Sequence, residues 1–141
     1  MKHAKWMLTM TLVLLSGLAS AQLTSEQKIV AQVPFEFTVA NKIVPAGKCI
    51  VQPATMNART LMIRNAGATV NLFASATLSE TKKAAGQYAL VFNHYRNQYF
   101  LSGIKLEGSK TIYMLPESKA EAELRAQNMP HAEEVLLASL K

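Results

Sequence analysis

The sequence predicts an all-β fold, mainly antiparallel: a sandwich or partly open barrel of about six to eight strands with one or two short C-terminal helices. Three observations predict it. Apolar residues alternate with polar ones at period two in several segments after residue 32. Turn residues separate those segments at short intervals, as in Pro45-Ala46-Gly47, Asn65-Ala66-Gly67 and Glu107-Gly108-Ser109. Helix signals occur only after residue 116. The 141 residues fit one domain, and 50% hydrophobic against 17% charged residues is the balance of a globular chain.

The first 21 residues stand apart. Lys2, His3 and Lys5 precede an apolar run from Trp6 to Leu15, and Ala19-Ser20-Ala21 supplies small residues where a signal peptidase needs them. Ser16, Gly17 and Ser20 leave that run short of the roughly 20 apolar residues a spanning helix requires. The expectation is a signal peptide over 1–21 and a single mature domain over 22–141, exported to the periplasm or the medium, with no transmembrane segment after cleavage. Without the signal, 13 Lys and Arg stand against 9 Glu, a mild net +4.

Along that domain, VPFEFTV (33–39) places Val33, Phe35, Phe37 and Val39 on one face of a strand. Pro34 has no N–H for a ladder, so this strand lies at an edge or begins its pairing after the proline. Val44-Pro45-Ala46-Gly47 fits a type I turn leading into a short strand, KCIVQ. RTLMIRN, a turn at Asn65–Ala68 and TVNLFASATL form a second hairpin, with Leu72, Ala74 and Leu78 among its inward residues. Ser79 to Gly86, carrying Lys82 and Lys83, reads as an exposed loop.

QYALVFNHY, Arg96-Asn97 and QYFLSGIKL form the third and strongest hairpin. A two-residue turn sets Tyr95 opposite Gln98, His94 opposite Tyr99 and Phe92 opposite Leu101, so that Leu90, Phe92, Tyr99 and Leu101 share a face. A three-residue turn instead sets Phe92 opposite Phe100. Asn tolerates positive φ in such a turn and Arg does so poorly. A further strand, KTIYMLP, follows.

Residues 117–141 read as a helical segment. Ser118-Lys119-Ala120-Glu121 matches a capping box ahead of the helix formers AEAELRAQ. Pro130 stops that helix and opens a second, HAEEVLLASLK, with Ala132, Leu136 and Leu140 as the stripe that docks on the sheet.

Taken together, VPFEFTVANKIVPAGKCIVQ, LMIRNAG and LVFNHYRNQYFLSGIKLEGSKTIYMLPESKAEAEL resemble a family of small, secreted, uncharacterised bacterial proteins. Its members run as VPFxFxVxxKxxPAGxYxV, LxIR, FxRYGxxYFLSxI and ELPxSxxExEL after a signal peptide. The resemblance covers roughly residues 32 to 126 and implies a secreted, mainly β domain. Cys49 departs from the pattern's aromatic, which implies a packing role, and Arg96 departs from its turn glycine.

The composition narrows the chemistry. All nine acidic residues are Glu, so Asp-dependent triads and calcium loops cannot be written. One Cys and two separated His in the mature chain fall short of a zinc ligand set. No G-x-S-x-G elbow or phosphate-cradling glycine loop is present. A Cys49–His94 dyad is the sharpest nucleophile and base available, and nothing in the spacing joins them.

The remaining chemistry is concentrated at the third hairpin's tip, where His94, Tyr95, Arg96 and Tyr99 combine aromatic faces with an anion-binding fork. The functional expectation is a non-enzymatic binding or interaction module without cofactor or metal. Its partner would be a protein or an envelope polymer, not nucleic acid. The alternative is a carrier of a small apolar ligand in a barrel lined by Phe35, Phe37, Leu90 and Phe92.

Overall fold

The computed structural model describes residues 27–54 and 59–140. The expected signal segment, 1–21, lies outside the described residues. Two sheets face each other across one core. The first, in spatial order, consists of β12 (Ser139–Leu140), β1 (Ile29–Val33), β4 (Gly47–Pro53), β5 (Thr60–Asn65) and β6 (Asn71–Ser75). The second runs β11 (Ala132–Leu137), β8 (Ala89–Tyr95), β9 (Gln98–Lys105), β10 (Thr111–Met114) and β7 (Thr77–Glu80). To its β9 the short hairpin of β2 (Phe37–Val39) and β3 (Lys42–Val44) adds at one end, β2 running parallel to β9 at Thr38 and Phe100.

The architecture is the expected all-β sandwich with one short helix, α1 (Lys119–Ala126). The sheets do not close into a barrel. Phe37, Leu90 and Phe92, the intended lining of a barrel cavity, are fully buried in the core between the sheets, with Phe35 packed against it.

Twelve strands occur among the described residues, and the excess over expectation has local causes. The predicted 33–39 strand is divided at Pro34–Glu36, where a residue without an N–H ends one ladder and the chain passes to the other sheet. The predicted 69–78 strand is divided at Ala76, where the chain passes from the first sheet to the second, so Leu78 stands exposed while Leu72 and Ala74 are buried.

The second expected helix is a correction. Residues 132–137 pair antiparallel with β8, from Ala132 opposite His94 to Leu137 opposite Ala89. Then, after the buried Ala138, Ser139–Leu140 joins the first sheet beside β1. The unpaired backbone groups along β8 offer this segment a full ladder, and that tertiary pairing outweighs the modest helix preference of HAEEVLLASL. One lateral rim of the sandwich is therefore β11–β12 and the other β6–β7, each a continuous run that changes sheets at an alanine.

Burial explains why β8 and β9 are nearly continuous apolar runs. In the first sheet β4, β5 and β6 alternate buried with more exposed residues, as strands covered on one face do. In the second sheet Leu90, Phe92, Leu101 and Ile104 face the core, while Val91, Tyr95 and Phe100 are buried outside the main core cluster. The outer side of the hairpin carries α1, tied to it through Glu121. No helix among the described residues is long and apolar enough to cross a membrane.

Candidate functional site

The β8–β9 hairpin forms with the two-residue turn. Tyr95 faces Gln98, His94 faces Tyr99 and Phe92 faces Leu101. A bulge follows at Ser102, whose hydroxyl donates to the Val91 carbonyl at 3.1 Å and reconciles the longer strand with the shorter. The turn is built against local preference. Arg96, not Asn97, holds the left-handed conformation, at φ 51°. A bulky residue there costs about 1 kcal/mol or more relative to glycine.

Three of the four expected tip residues, His94, Tyr95 and Tyr99, are divided between the hairpin's two faces. On the inner side His94 and Tyr99 come together: their rings stack at 3.9 Å, and Phe35 stacks on Tyr99 at 3.6 Å. Both faces of Tyr99 are thus occupied within the protein, so it presents no open ring to a sugar or base. Phe92 meets Phe35 and Phe37 edge to face and anchors the stack in the core. His94 Nδ1 lies 3.0 Å from Glu134 Oε1 on β11. Beside this stack is a cleft of about 280 Å³ lined by Phe35, Thr38, Ile43, Asn97, Gln98 and Tyr99 among others.

Tyr95 points the other way. It is buried, edge to face with Phe100 and stacked on His131 at 5.0 Å. Its hydroxyl donates to Glu121 Oε1 at 3.2 Å, and Asn93 Nδ2 donates to the same oxygen at 2.7 Å. Burial, reinforced by the Glu121 carboxylate, raises the Tyr95 phenol above its ordinary value. Arg96 belongs to neither face and stands exposed at the turn.

Sequence reasoning missed Asn93 and Glu121. Glu121 was expected to reach back to the helix start, yet Ser118 makes no side-chain capping bond and Glu121 turns inward. The free Lys119 N–H instead donates to Asn41 Oδ1, at 2.8 Å, from the turn between β2 and β3. The available signal was Asn93 itself, a polar side chain inside an apolar strand on the same face as Tyr95.

Cys49 and His94 do not form a site. Cys49 lies on β4 of the first sheet, 1% exposed, and burial pushes its thiol up to about 12, so the nucleophilic thiolate is disfavoured at neutral pH. His94 is on the other sheet with Glu134 as its partner. Among the described residues no three His, Cys or Glu side chains gather as metal ligands. Comparison with protein-family models, curated proteins and solved structures finds no match to this chain.

Proposed function

We propose that this protein is an exported, non-enzymatic binding module that meets its partner, a protein or envelope polymer carrying anionic groups, through the tip of the β8–β9 hairpin. Arg96 carries the proposal. It occupies a left-handed turn position where glycine is less strained; Ala40, Asn41, Ala68 and Asn128 do so as well, but of these five residues Arg96 alone sets a charged side chain at the exposed tip. The Phe35–Tyr99–His94 stack supports the reading, because it holds the turn that presents Arg96, Asn97 and Gln98. Recognition on this geometry is by the guanidinium and the side-chain amides, with tyrosine stacking confined to the scaffold. Export rests on the signal-peptide layout of residues 1–21, and the mild positive charge suits an anionic surface.

Arg96→Gly tests the proposal, because structure and function are expected to move in opposite directions. Stability in urea should rise by about 1 kcal/mol as the strain is relieved. Retention on an immobilised anionic polysaccharide should fall, with elution at lower salt. A variant that is both more stable and equally well retained would remove Arg96 from the interface. Loss of retention in a Lys82→Ala, Lys83→Ala variant alone would move the contact to that loop.

A further inference from the structure

Beneath α1, on the face of the hairpin away from the core, lies a cleft of about 240 Å³. Glu121, only 5% exposed, lines it and is the one charged side chain among the buried described residues. Both hydrogen bonds it accepts, from Asn93 and Tyr95, fall on Oε1, and both donors are neutral. Oε2 is left without a partner on the side chain that lines the cleft. Arg125, the cation one helical turn further on, is committed to Glu117 at 3.0 Å and is mostly exposed. A carboxylate withdrawn from water is unfavourable unless a cation or enough donors satisfy it. Here Oε1 is satisfied within the protein, while Oε2 takes no hydrogen bond from it and is not sealed from solvent, so it faces whatever fills the cleft.

We propose that this cleft is a binding site for a small organic ammonium ion, a protonated alkylamine, whose N–H groups donate to Glu121 Oε2. The walls suit the class: Met114 and Leu115 offer apolar surface to an alkyl chain. A metal ion is disfavoured because no cluster of three ligating side chains exists among the described residues. Arg125 and His131 also line the cleft, but Arg125 is paired with Glu117, so the carboxylate charge left for an occupant is that of Glu121. The volume is below the usual range of about 300 to 1,000 Å³ for drug-sized ligands, which limits the occupant to a small amine. The site is independent of the hairpin tip, since Arg96, Asn97 and Gln98 do not line it.

The test is a titration of the ¹⁵N-labelled protein at neutral pH with n-butylammonium chloride and, in parallel, with n-butanol, a neutral molecule of the same shape. Saturable shifts at the Asn93, Tyr95 and Glu121 amides with the ammonium, and none with the alcohol, are expected. Glu121→Gln keeps an acceptor for Asn93 and Tyr95 but removes the charge, and should weaken the ammonium roughly ten- to hundredfold. Met114→Phe narrows the cleft with Glu121 untouched and should also weaken it. Equal response to alcohol and ammonium, no saturable response up to about 100 mM, or unchanged affinity in Glu121→Gln would overturn the site. Should Glu121→Gln fail to fold, the alcohol comparison and Met114→Phe decide the matter.

Discussion

On the inner face of the β8–β9 hairpin three rings, Phe35, Tyr99 and His94, lie one on another above a core phenylalanine. On the outer face two polar side chains, Asn93 and Tyr95, converge on one oxygen of a buried carboxylate. Both faces are packed against neighbouring elements near the tip, yet they are held by different forces. Ring stacking and area burial are largely non-directional and tolerate small shifts. Hydrogen bonds to a desolvated carboxylate depend on geometry and are costly when half made. The inner face therefore contributes bulk stability, while the outer face fixes where α1 sits and leaves a polar cleft beside it.

Cutting the inner face at its root should produce the largest effect. Phe92 is fully buried and touches both Phe35 and Phe37. Phe92→Ala should lower the free energy of unfolding by about 3 to 5 kcal/mol, read from urea denaturation. The stack it supports should loosen with it, visible as increased hydrogen exchange at Tyr99. A loss below 1 kcal/mol would mean that the aromatic cluster is not what secures the hairpin.

On the outer face, Tyr95→Phe removes one donor from Glu121 and leaves the ring packing in place. The expected cost is about 1.5 to 3 kcal/mol, the range for a hydrogen bond to a charged group. The phenol also predicts a pH signature. Its folded-state value is raised above the ordinary 10, so the folded protein holds this proton when the unfolded chain has lost it. The contribution is complete below pH 10 and is lost as pH rises through the folded value. Wild-type stability should fall more steeply than that of Tyr95→Phe above pH 10, measured by denaturation at stepped alkaline pH. Parallel curves would show that Tyr95 is not the group responsible.

The two faces also differed in how far the sequence revealed them. The inner pairing was legible because Phe92, Leu101, His94 and Tyr99 obey a period-two register that one short turn determines. Arg96 was legible as a conflict between turn chemistry and residue type, and the conflict is real in the fold. Alternation along β8 also separates Tyr95 from His94, although proximity in sequence suggested one tip cluster. Glu121 was hidden because Ser118-x-x-Glu121 satisfies a local capping pattern, while the cap actually comes from Asn41, 78 residues earlier in the chain. The C-terminal strand was hidden for a related reason. Its helix preference is local, and the ladder that overrides it belongs to β8, outside any window centred on residues 132–137.

The smallest effect separates stacking from ion pairing within the inner face. His94 both stacks on Tyr99 and approaches Glu134, but the two side chains are 24% and 39% exposed. At that exposure water and salt screen the pair, and its contribution should stay below about 1 kcal/mol. Glu134→Gln removes the charge and leaves the rings alone. Its unfolding free energy should match wild type within about 1 kcal/mol, and raising the sodium chloride concentration should not widen the gap. A larger loss that disappears in high salt would make the hairpin's attachment to β11 electrostatic. The stack would then follow from that attachment, and the contrast between the two faces would not hold.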